Sequence, residues 1–212
     1  MQFLVLYSQK KGTFHRKVPL TFSLFILICG KNISNLANAS LTAEQAALPE
    51  TYRQDMAQAV GAVSAQKQGT FANNKGFRSR TPAISFEGAF CINYFFTPAY
   101  APVSGITLYY WNETDYNAAS VLTTQNASGS MMLNGAGTDT YRGDITGIAA
   151  KNLSQAIYVA AVYSDGSTTW TSGVLGYSIG AYCSSQAAKG ADVADLAMAT
   201  AIYGYHAKQY FG

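Results

Sequence analysis

Charge is what this sequence has least of. Charged residues make up 12% of the 212-residue chain, about half of the roughly 25% usual in soluble domains. Of its fourteen lysines and arginines, Lys10, Lys11, Arg16 and Lys17 fall before Lys31, in a stretch with no Asp or Glu. The remaining ten face eleven acidic residues. The part from Lys31 onward therefore lacks the basic excess that a phosphate backbone requires, which argues against nucleic-acid binding through counterion release.

Cysteine and histidine are nearly as scarce. Cys29, Cys91 and Cys183 form no C-x-x-C pair, and His15 and His206 are the only histidines. No zinc constellation can be assembled from that set, so no metal and no cofactor is expected. Cys91 and Cys183 have two readings: a disulfide in an oxidising compartment, or two small buried hydrophobes. No G-x-S-x-G elbow occurs, and no Walker, Rossmann or EF-hand pattern. Long apolar runs are missing too. Pro19 to Cys29 is apolar for fewer residues than the ~20 of a membrane span.

What fills the gap is Gly, Ala, Ser, Thr, Asn and Tyr, with 49% apolar and 13% aromatic residues. That mix suits extracellular β proteins, whose surfaces are polar without being ionic, and it disfavours disorder. At the N-terminus a basic stretch, the run PLTFSLFILIC and the small polar segment NLANAS have the three-part form of a secretory signal. Residues 1–30 are read as such a leader or as an irregular segment from a truncated start.

Residues 31–82 read as a helical linker and loop. Thr42 and Gln45 make a capping-box pair, Pro49 interrupts, and a second helix is expected from Glu50 to Gln66. Its apolar stripe is Tyr52, Met56, Ala59, Val60 and Val63. Gly69 to Pro82 has the composition of a loop.

Residues 83–212 carry the β pattern. Apolar residues alternate from Ile84 to Phe96, which predicts one long strand. Further strands are expected at Ile106–Trp111, Ser130–Leu133 paired with Tyr141–Thr146, Ile157–Tyr163 hairpinned to Thr168–Thr171 through Ser-Asp-Gly-Ser, and Gly173–Tyr182. Short strands at this spacing predict a mainly β, antiparallel sandwich of immunoglobulin or fibronectin type. The step from Tyr141 to Tyr163 resembles the corner where such folds cross between sheets. A closing helix is expected over Ala191–Tyr210, with Leu196, Tyr203 and Phe211 buried against the sandwich.

Function is less legible. Glu87 with Glu113, Asp115, Asp139 or Asp144 offers a glycosidase dyad only in the sense that any set of carboxylates does. Five Asn-x-Ser/Thr triplets, at Asn32, Asn38, Asn112, Asn126 and Asn152, are what chance gives in a chain this rich in Asn, Ser and Thr. The aromatic residues carry more. Tyr109 and Trp111 share a strand face, and with Trp170 they are candidate ligand-binding residues if that face is exposed; otherwise they are core.

The segments Ser85-Phe86-Glu87-Gly88, Asn93-Tyr94-Phe95-Phe96, Leu108-Tyr109-Tyr110-Trp111, Gly147-Ile148-Ala149-Ala150-Lys151 and the ending Ala201 to Phe211 resemble a module of large secreted proteins of anaerobic Gram-positive bacteria. The resemblance covers about 84–212. It implies a sandwich followed by one helix, no established activity, and a place beside other modules of a parent surface protein. Residues 32–49 resemble the linker that follows such modules. The expectation is a non-catalytic structural or anchoring module, extracellular or at the cell surface, contacting neighbouring modules or wall glycan. The alternative is a carbohydrate-binding module using exposed aromatics; a glycoside hydrolase is residual.

Overall fold

The computed structural model describes residues 43–79, 81–86, 89–103, 105–189 and 192–212. The leader-like segment, Cys29, Asn32, Asn38, Thr42 and Glu87 lie outside them. After a helical turn at 43–46 come two short helices, α1 (Glu50–Ala57) and α2 (Ala65–Gln68), then β1 (Phe77–Ser79), β2 (Ala83–Ser85), β3 (Phe90–Pro98) and β4 (Thr107–Asn112). Helix α3 (Glu113–Ala118) precedes β5 (Gly129–Met132), β6 (Asn134–Gly135) and β7 (Tyr141–Ile148). The chain closes with β8 (Ile157–Ser164), β9 (Thr169–Thr171), β10 (Leu175–Tyr177), α4 (Ile179–Ala187) and α5 (Asp192–Phe211).

The strands form two antiparallel sheets. One runs β1-β3-β7-β6, with β2 also on β3. The other runs β10-β8-β4-β5, with β9 also on β8. Alternation explains why they stack. Phe90, Ile92, Tyr94 and Phe96 of β3 are buried, and they share one cluster with Leu108 of β4, the adjoining Ile106, and Val159, Ala161 and Tyr163 of β8. This is a β-sandwich with a C-terminal helix, as the alternation predicts.

One end of the sandwich is closed by helices. Register places Phe90 beside Ile148 and Tyr177 beside Ile157, so these termini lie at a common end. There α1 packs on α4, and α5 packs on α4 and on the 3-10 turn Ala150–Asn152. Their buried residues, among them Tyr52, Met56, Ile179, Cys183, Ala197 and Ile202, join the sandwich core in one cluster. Gly204 allows the approach: a Cβ there would stand 2.6 Å from Leu153 Cδ1 and 2.7 Å from the Tyr52 hydroxyl.

Several expectations need correction. The run from Ile84 to Phe96 is a hairpin, not one strand: Ile84 pairs with Ile92 and Ser85 with Cys91. Partners differ by an even number, so inward residues keep their parity across the turn and period two survives. β5 and β7 do not pair. β5 lies on β4, while the two-residue β6 pairs with β7, so the chain changes sheets at buried Leu133. The strand expected over Gly173–Tyr182 stops at Tyr177, where the Ser178 side chain accepts the Ala181 amide and caps α4. The helix expected from Glu50 to Gln66 ends at Ala57. Gln58 is extended, which sends Val60 against Gly176 of β10 and Val63 into a second cluster.

That second cluster revises the boundary at 82/83. Val63 and Phe71 pack with Trp111, Leu122, Ala160 and Val174 on the outer face of the second sheet, and Leu48, Tyr52 and Met56 belong to the main core. The described part of 31–82 is therefore a layer of the fold, not a linker. At the other terminus Phe211 is 61% exposed, not buried; Leu196 and Tyr203 are half-buried against the core. Helix α5 turns its small residues Ala197, Ala201 and Ala207 inward, so the contact continues past Tyr203 without the last aromatic ring.

Candidate functional site

The candidate aromatics part company in the structure. On β4, Thr107, Tyr109 and Trp111 point to the outer face of the second sheet, but that face is covered. The Phe71 ring meets Trp111 edge-on at 5.1 Å and lies 5.6 Å from Tyr109. Trp111 has no exposure, and its indole N–H donates to Asn126 Oδ1 at 3.0 Å. Trp111 is thus a core residue with its polar handle satisfied, and no ligand reaches it; Tyr109 is half-buried beside it. The cover escapes a sequence reading because Phe71 and Leu122 lie in segments with loop composition.

Further along the same outer face, Tyr116 of α3 stacks on Tyr158 of β8, 3.5 Å between centroids at 5°, with Lys67 Nζ 4.1 Å over the Tyr116 ring. A shallow depression of about 530 Å³ adjoins them, lined by Asp115, Gln125 and Asn126 among others. Two of its polar side chains, Asp115 and Asn126, are already committed. Asp115 Oδ2 accepts from Asn112 and Ser128, and Asn126 caps the Thr123 amide while holding Trp111. Asn112 is the N-cap of α3. Both triplet asparagines here serve the fold.

Trp170 lies elsewhere, at the end of the sandwich opposite the helices, where β3 and β8 finish. Tyr100 stacks on it, with centroids 4.4 Å apart and planes at 25°. The indole N–H donates to Asp165 Oδ2 at 2.8 Å. Asp165 opens the β8–β9 turn, and Gly166 takes the positive φ of 96° that such a turn requires. The other carboxylate oxygen accepts the Ser167 and Thr168 amides and the Ser167 hydroxyl. These donors hold the Asp165 carboxyl well below the usual carboxylate range. Tyr163 ties the end together: its hydroxyl accepts the Tyr100 amide and donates to the Gly76 carbonyl, each at 3.0 Å. Tyr100, which sequence reasoning passed over between Pro98 and Pro102, is 51% exposed, and Val103 is 71% exposed.

The two described cysteines are free and buried. They do not pair: alternation turns Cys91 to the outer side of the first sheet, whereas Cys183 of helix α4 belongs to the main core. Cys183 of α4 is in the main core, where burial pushes its thiol up to about 12. Cys91 sits between inward Phe90 and Ile92 and faces outward, with Asn93 Nδ2 3.1 Å from its sulfur. Burial raises its pKa as well.

The carboxylates named for a dyad are dispersed. Asp144 of β7 is held by Asn93 and Arg142 on the first sheet, while Asp115 is fixed on α3 beside the second. Among the described residues no group of three or more His, Cys, Asp or Glu could hold a metal ion, and no helix is long and apolar enough to cross a membrane.

No protein-family model matches the chain, and no curated protein is similar to it. Among solved structures, the Br derivative of BhCBM56 is similar over 47% of this chain and 91% of its own, at 10% identity and a TM-score of 0.32.

Proposed function

We propose that the chain is a non-catalytic structural or anchoring module of a bacterial extracellular or cell-surface protein, in contact with neighbouring modules or the cell wall. The observation that supports it is the use made of the strand aromatics. Trp111, Tyr94 and Tyr163 are buried with their polar atoms bonded inside the fold, to Asn126, Ile157 and Gly76. Rings spent in this way stabilise a scaffold and present nothing to a ligand. An antibody against the chain should label intact cells of the source organism and lose that label after surface proteolysis. Labelling only after lysis would refute the proposal.

Carbohydrate binding is the second reading. It loses Trp111 and keeps Trp170, and what favours it is the half-exposed Tyr100 ring lying on that indole.

A further inference from the structure

The geometry points to the loop end of the sandwich as a binding site for one pyranose residue of a glycan, with the Tyr100 ring as its stacking face; this rests on the carbohydrate-binding reading. The ring is held before any ligand arrives. Trp170 backs it, Asp165 fixes the indole, and Tyr163 fixes the backbone at Tyr100. A ring fixed in this way leaves little ordering cost to be met on binding.

The size of the exposed surface selects the ligand. Among the described residues its large apolar part is one ring and Val103, far less than the roughly 800 Å² per partner of an ordinary protein contact. A flat aromatic face suits the C–H face of a sugar ring, whose hydroxyls then reach the polar edge. That edge carries the exposed Ser167 and Thr168 at the tip of the β8–β9 turn. Among the described residues, Asp165 Oδ2 accepts only the Trp170 indole, which leaves a lone pair for a sugar hydroxyl. One stacking ring gives weak binding, so retention on a polysaccharide depends on several copies acting together. The placement fits that use. The segment around Tyr52 and the C-terminal helix both lie at the opposite end, so the loop end points away from both.

The test is an NMR titration of the full chain with cellobiose, chitobiose and mannobiose, repeated on Tyr100→Ala and Tyr100→Phe. The expected result is that at least one sugar shifts the amides of Tyr100, Asp165 and Trp170. Tyr100→Ala should weaken that binding by about tenfold or more, while Tyr100→Phe keeps it. Wild-type shifts confined to other residues, or binding unchanged in Tyr100→Ala, would overturn this site and leave the carbohydrate reading standing. No shift with any of the sugars would overturn both. Mapping the wild-type protein keeps the test decisive should Tyr100→Ala fail to fold.

Discussion

The Tyr52 hydroxyl donates to the backbone carbonyl of Ala201 at 3.1 Å, across 149 residues of chain. The same ring meets Tyr205 edge-on at 5.2 Å, and Lys208 Nζ lies 3.8 Å from Asp55. Helix α1 is thereby fastened to α5, and both rest on α4.

It follows that a fragment of residues 76–212 should not fold as residues 43–212 do. It lacks Leu48, Tyr52, Met56, Val63 and Phe71, all buried. At about 1.5–3 kcal/mol for each large apolar side chain, their loss rivals the roughly 5–15 kcal/mol that holds a whole domain. The point variant Met56→Ala should cost about 2–5 kcal/mol. Urea unfolding followed by circular dichroism checks both, and equal midpoints for the two fragments would contradict the packing described.

Helix α5 should be needed for folding, but not all of its aromatics. Ile202 is 2% exposed, so Ile202→Ala should cost about 2–5 kcal/mol. Tyr210 and Phe211 are 68% and 61% exposed, and alanine at either should change stability by no more than about 0.5 kcal/mol. Truncation after Lys189 should abolish cooperative unfolding. A truncated protein as stable as the full chain would show that the helix is an appendage.

The sequence made some of this readable. The β8–β9 hairpin announced itself through Asp165-Gly166, where the turn needs a positive φ, and α5 through its periodic small and apolar residues. The start of α4 is hidden because Leu175, Tyr177 and Ile179 alternate like a strand, with Ser178 the capping signal. The burial of Trp111 was hidden for a different reason. Its cover comes from Phe71 and Leu122, which are remote in sequence and sit in loop-like segments, and pattern reasoning works only within a window. Tyr100 carries no strand pattern to mark it: it sits half-exposed on a loop between Pro98 and Pro102.

Cys91 and Cys183 should resist alkylation in the native protein and react in denaturant without any reductant. Both are free and buried, with thiol pKa values pushed up, and the thiolate is the reactive form. Mass spectrometry of iodoacetamide-treated protein reads this out. Protection that persists in denaturant and yields only to reductant would establish a disulfide.

Stability should fall in alkali. Burial raises the pKa of Tyr52 and Tyr94, and lifts Cys183 from near 9 to about 12. The unfolded chain ionises these groups first, so the stability they contribute is present below their unfolded values and is lost as pH rises above them. Asp165 acts in the opposite sense. Its pKa is depressed, so the stability it gives the β8–β9 turn is present above the ordinary carboxylate range and is lost progressively as pH falls through that range, where the unfolded chain takes up the proton first. Urea midpoints across the pH range test both, and a midpoint that holds steady far above pH 9 would contradict the alkaline half.

The scaffold reading turns on Trp111, and the chain has only two tryptophans. In the variant Trp170→Phe, Trp111 is the only indole emitter. Emission should be blue-shifted in the native protein, almost unquenched by iodide, and shifted to the red and quenched on unfolding. Native emission already at long wavelength, and quenched by iodide as freely as in denaturant, would place Trp111 at the surface and contradict the account.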